Sequence, residues 1–144
     1  MGVWVFSNYV KNENGIVSAV NDINGPRVDE LIFLGDLVYI EELREALFDM
    51  AGKEIDLSFF QKPYAPDYGD ETNKNVSFKP SEVLECIDQI KVALENNGER
   101  IIREYKISGK SESIQSLVIS ELENLRGQSV YAMHNNYELQ ITLS

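Results

Sequence analysis

The chain holds one cysteine and one histidine, Cys86 and His134, in 144 residues. Nucleophilic catalysis is poorly supported by so small a set. Cys86 lies in Val83-Leu84-Glu85-Cys86-Ile87-Asp88, with no Lys, Arg or His beside it to favour a thiolate. It reads as a buried structural thiol, and without a second cysteine it forms no intramolecular disulfide. His134, just before Asn135-Asn136, reads as a turn residue, exposed or partly packed. Glu41 and Glu45 lie one helical turn apart, a spacing that on an exposed helix makes a solvated acidic face rather than a glycosidase acid–base couple.

Two short stretches invite a metal. Leu31-Ile32-Phe33-Leu34-Gly35-Asp36 ends an apolar run in Gly-Asp, as does one motif of the metallophosphoesterases. A two-metal centre needs several His and Asp ligands, and one histidine cannot supply them, so Asp36 is predicted to cap a helix instead. Asp67-Tyr68-Gly69-Asp70-Glu71 is rich in carboxylates but lacks the alternate spacing and distal Glu of an EF-hand loop. No Cys/His set suits zinc, and neither phosphate-binding glycine pattern occurs. The expectation is a protein that is not an enzyme, with no catalytic residue, no cofactor and no metal.

What remains is charge and aromatic surface. Net charge is −11, a field that repels nucleic acid and anionic membranes and attracts basic partners. Residues 27–56 carry nine acids (Asp29, Glu30, Asp36, Glu41, Glu42, Glu45, Asp49, Glu54, Asp56) against three bases, whereas residues 99–144 carry six against five. Five aromatics, Phe59, Phe60, Tyr64, Tyr68 and Phe78, fall in the Pro- and Gly-punctuated stretch 53–78. A long irregular segment in a compact domain is usually functional or disordered, and aromatics favour ordered packing.

The elements that must position these groups are legible from periodicity. Lys79–Gly98 is the clearest helix: Pro80 suits the first helical position and Glu82 the positive end of the dipole. Val83, Ile87, Ile90 and Leu94 form one apolar stripe, and Asn96-Asn97-Gly98 reads as a stop. A second helix is predicted from Asp36 to Met50 on Ile40, Leu43, Leu47 and Met50, ended by Gly52. A third runs from Ser111 or Ser113 on Ile114, Leu117, Val118, Leu122 and Leu125, ended by Gly127. Val3–Val10 reads as a covered strand, Asn14-Gly15 as a turn, and Ile16–Ile23 as a short helix. Glu30–Leu34 reads as a strand or an approach to the next helix. Arg100–Ile107 reads as a strand, with a continued helix as the alternative. Val130–His134 and Tyr137–Leu143 around Asn135-Asn136 read as a C-terminal hairpin.

Together these predict a single α+β domain over residues 1–144. An antiparallel sheet of three to five strands, including the C-terminal hairpin and with the terminal strands as neighbours, is covered on one face by about three helices. The single cysteine, the absence of a signal-peptide pattern in Met1–Val10 and the lack of an apolar run of about 20 residues predict a cytoplasmic protein.

In size, acidity and lack of catalytic side chains the chain resembles the bacterial immunity proteins that neutralise polymorphic or contact-dependent toxins. The resemblance implies a basic toxin domain as cytoplasmic partner, often a nuclease, held by steering charges and a few aromatic anchors. The alternative is a regulatory or adaptor domain binding another protein. Two candidate surfaces stand out: Tyr64, Asp67, Tyr68, Asp70 and Glu71 as an aromatic–acidic anchor, and Glu41, Glu42 and Glu45 as a steering face. The plainer reading of Tyr64 and Tyr68 is that they pin a long loop to the body.

Overall fold

The computed structural model describes residues 4–60, 77–104 and 114–143. In chain order the elements are β1 (Val5–Glu13), β2 (Ile16–Ala19), β3 (Val28–Leu31), α1 (Ile32–Tyr39), α2 (Glu41–Ala51), α3 (Pro80–Glu104), α4 (Ile114–His134) and β4 (Glu138–Leu143). This is the expected α+β architecture, with a four-stranded antiparallel sheet and helices packed on it.

Every other strand pairs with β1. β2 takes Val10–Glu13, β3 takes Val5–Ser7 across an irregularity, and β4 takes Val5–Val10. The N- and C-terminal strands are thus neighbours, as predicted. Asn14-Gly15 makes the two-residue β1–β2 hairpin, with φ of 56° and 86°. Both central residues must be left-handed in a type I′ turn, and Asn-Gly tolerates that best. The Asn12 Oδ1 accepts the Gly15 N–H at 3.0 Å and closes the turn. This hairpin overrides the helical reading of Ile16–Ile23. Four residues tied in register to β1 gain ladder bonds at once, while a helix that short cannot repay its nucleation.

Four further expectations are corrected. The helix predicted from Asp36 to Met50 is two helices, separated at Ile40 by one extended residue (φ −73°, ψ 121°). Asp36 lies inside α1 and is not its cap. The N-terminus of α1 is instead satisfied from far along the chain, by the Glu121 carboxylate, which accepts the Leu34 N–H at 2.6 Å and lies against the N–H groups of Phe33 and Ile32. Gly52 does end α2, in the left-handed region at φ 69°. Residues 100–104 continue α3 rather than starting a strand, and the helix passes through Gly98. A glycine inside a helix costs only about 1 kcal/mol.

The C-terminal hairpin is half right. Tyr137–Leu143 contributes β4, but Val130–His134 belongs to α4, which also runs through Gly127, and β4 pairs with β1. Asn135-Asn136 terminates a helix rather than turning a hairpin: the Tyr137 N–H donates to the Ala132 carbonyl at 2.9 Å, and Asn136 has φ 58°. Left-handed tolerance serves both structures, so the dipeptide did not discriminate between them.

One continuous core joins the helices and the inner sheet face. Val5 and Tyr9 of β1, Leu139 and Ile141 of β4, Leu34 and Leu37 of α1, Leu43 and Leu47 of α2, Ile87 and Ile90 of α3, and Leu122 and Leu125 of α4 are all buried in it. The predicted stripe of α3 is the buried one. No helix among the described residues is long and apolar enough to cross a membrane.

Candidate partner-binding face

α3 is packed by α2 on one side and α4 on the other. Its stripe faces the core, so its opposite face is left outward. Off the stripe stand two apolar side chains, half-buried Leu84 and Val92, the latter 55% exposed. With Met50 from the end of α2 and Met133 from the end of α4, they line a groove of about 580 Å³. Met133 is 45% exposed. A second cleft, of about 410 Å³, continues from the first at Glu85 and Gln89, which line both. Its walls include Phe59 and Phe78, whose rings meet edge-to-face at 4.9 Å.

The border of these two clefts is acidic. Among the described residues Asp56, Glu82, Glu85 and Asp88 line them, against Lys53 alone. Asp88 is paired with Arg126 of α4, and Lys91 with Glu123 at 2.7 Å. These cross-helix pairs lock α3 to α4 and leave Glu82 and Glu85 exposed without an ion pair among the described residues. Asp56 accepts the Ser58 N–H at 3.0 Å. Hydrogen bonds from Ser58 hold its carboxyl below its ordinary range, so it is ionised at neutral pH.

Glu41, Glu42 and Glu45 are exposed on α2, at the end remote from Met50. Glu41 and Glu42 lie in the first turn, where they offset the unpaired N–H groups of a helix with no side-chain cap. The acidic helix and the cleft therefore meet through one element, but the cleft touches only its last turn. Tyr64, Asp67, Tyr68, Asp70 and Glu71 lie outside the described residues.

Of the two side chains singled out for nucleophilic chemistry, Cys86 is enclosed and His134 is open to solvent. Cys86 is buried, and its S–H donates to the Asp56 carbonyl at 3.3 Å. Burial first, then the charges of Asp56 and Glu85, push the thiol up to about 12. At neutral pH it is a neutral thiol, a poor nucleophile. His134 is exposed at the C-terminal end of α4, where a cation would suit the helix dipole. Among the described residues no three His, Cys, Asp or Glu side chains are gathered to hold a metal.

Sequence reasoning passed over this cleft because it gave Glu82 only a first-turn role on the helix dipole and gave Glu85 and Asp88 no site role. The signal was the pair of apolar residues among them, Leu84 and Val92, which the core stripe does not need. Comparison with protein-family models, with curated proteins and with solved structures finds no match to this chain in any of the three.

Proposed function

We propose that the protein is a binding protein that neutralises a basic protein partner in the cytoplasm, in the manner of toxin-neutralising immunity proteins, and that the acid-bordered apolar cleft of α3 receives that partner. The observation that carries this reading is the chemistry of the cleft. An apolar floor of Met50, Leu84, Val92 and Met133 is edged by Glu85 and Asp88, and the adjoining cleft adds Asp56 and Glu82. Apolar side chains shed water on contact and set the lifetime of a complex, while surrounding charges steer encounter and choose its sign. Methionines adapt their shape to an incoming surface. Phe59 and Phe78 beside the carboxylates suit a Lys or Arg, which gains from both the charge and the ring faces. Glu41, Glu42 and Glu45 add to the same long-range field, screened beyond about 8 Å at physiological salt.

The test begins with a partner captured from the native cell on the immobilised protein and then expressed alone. Growth arrest relieved by co-expression supports neutralisation. A partner that is harmless alone overturns it in favour of an adaptor role. Binding kinetics then locate the face. Glu82→Lys with Glu85→Lys should slow association at least about tenfold at low salt and flatten its salt dependence. Val92→Ala with Met133→Ala should chiefly speed dissociation. Unchanged kinetics in both folded variants would move the site away from α3, and Tyr68→Ala would then test the segment that holds Tyr64 and Tyr68.

A further inference from the structure

The α3 groove has a length, a floor and two unlike borders, and each constrains what can lie in it. Its α3 residues Ser81, Glu85, Asp88, Val92 and Asn96 follow one another by three or four positions, on the side opposite the buried stripe. At 1.5 Å per residue the run from Ser81 to Asn96 is about 22 Å long, about four helical turns. Apolar side chains gather along it. Val130 is 39% exposed and follows Arg126 by one turn of α4. Arg126 reaches Asp88 of α3, so Val130 stands toward α3 as well. With Val92 and Met133 it forms an open apolar patch, the mark of a contact surface.

The floor decides between the two regular forms of an incoming chain. An extended segment carries N–H and C=O groups along both edges, and these must find partners when water leaves. The backbone groups of α3 are already bonded within the helix. Met50, Leu84, Val92 and Met133 offer no strong donor or acceptor. Ser81, Gln89 and Asn96 can meet a few such groups but not a row of them. A helix brings its backbone bonds with it and presents side chains at i, i+3, i+4 and i+7 to an apolar groove.

The borders set its charge. On the α4 side Asp88 is answered by Arg126, and Lys91 by Glu123. On the side of the adjoining cleft Asp56, Glu82 and Glu85 make no ion pair among the described residues, and Lys53 is the one cation among the described lining residues. Negative charge is therefore in excess along one border only. A second copy of this chain, itself at −11, is repelled from it.

We propose that the groove receives an amphipathic α-helix of the partner, about four turns long, with its apolar stripe on Leu84, Val92 and Met133 and a row of Lys or Arg along one flank against Asp56, Glu82 and Glu85. This rests on the α3 cleft being the partner site and adds what the partner presents there.

A designed peptide tests it without the native partner. The probe is a helix former of about 18 residues, with Leu at i, i+4, i+7 and i+11 and Lys along one flank. One control holds the same residues in an order that breaks the helical period, and the other has Glu in place of Lys. NMR titration of the full chain should give saturable shifts at Leu84, Val92 and Met133, transferred NOEs should show the bound probe helical, and each control should bind about tenfold or more weakly. Val92→Gln, at an exposed position, should weaken the probe about tenfold, and Glu82→Gln with Glu85→Gln should weaken it and flatten its salt dependence. No saturable binding at millimolar probe, a shuffled control that binds equally, shifts that map elsewhere or a probe bound in extended form overturns the helical occupant. So does a dimer of the chain in sedimentation that Val92→Gln dissolves. If the probe fails while a captured partner is still released faster by Val92→Ala with Met133→Ala, the helix is wrong and the site stands. A partner indifferent to that pair removes the site itself.

Discussion

Asp22 shows how much one side chain can hold. Four donors converge on its carboxylate, two from its own turn and two from phenols more than a hundred positions away. Tyr9 closes the same corner by donating to the Pro26 carbonyl at 2.7 Å, and its ring lies 5.5 Å from those of both Tyr131 and Tyr137. Gly25 is required there for space: a Cβ would come within 2.8 Å of the Tyr131 ring and the Tyr9 hydroxyl. The hydrogen bonds to Asp22 are the largest cause raising the Tyr131 and Tyr137 phenols above 10.0, whereas Tyr9 is pushed up to about 12 mainly by burial. A raised folded value means that the stability these phenols contribute is complete below 10.0 and is lost as pH climbs through their folded values. Asp22→Asn should therefore lower the alkaline ionisation midpoints of Tyr131 and Tyr137 and leave Tyr9 the last to titrate. Phenolate absorbance measured against pH reads this directly; three unmoved midpoints would mean that the carboxylate does not govern the cluster.

At the scale of elements, the start of α1 depends on α4. No residue in the first turn of α1 is acidic and its N-cap makes no side-chain bond, so Glu121 supplies the missing acceptor from a distant helix. Burial raises the Glu121 carboxyl, opposed by the N–H groups of Leu34, Phe33 and Ile32. The sign follows from the direction. A group raised in the folded state favours folding most below its unfolded value near 4.5 and loses that advantage as pH rises through its folded value. Glu121→Gln keeps an acceptor for Leu34 but no charge to desolvate. The stability of the wild type relative to this variant should fall as pH is raised from about 4 toward 7. Urea unfolding across that window is the check, and a constant difference would show that Glu121 is not strained by burial.

For the whole molecule, the continuous core sets the expectation. Ile87 is fully buried on α3 within the cluster that holds sheet and helix side chains together. Truncating it to Ala should cost about 2–5 kcal/mol, from lost transfer energy plus the cavity left behind. Because the core is shared, the loss should appear equally in far-ultraviolet circular dichroism and in aromatic fluorescence, as one transition. Non-coincident curves would divide the chain into parts that unfold separately, and a loss below about 1 kcal/mol would misplace the buried face of α3.

By itself the sequence determined what depends on neighbours a few positions apart. The apolar stripe of α3, the left-handed end of α2 at Gly52, the tight turn at Asn14-Gly15 and the alternation in β4 all follow from side-chain spacing and from residues that accept positive φ. That the chain has one cysteine and one histidine was equally plain from composition. Tertiary structure alone decided what rests on partners remote in the chain. Val130–His134 carries β-forming residues yet stays helical, because Ala132 is buried in the core, the Tyr131 hydroxyl reaches Asp22 and β4 takes β1 as its partner. Ile16–Ala19 has helical spacing yet becomes a strand, because a hairpin turn sets it beside β1. The α3 cleft was invisible for the same reason. It is a space between elements, and no periodicity within one element records how far it stands from another.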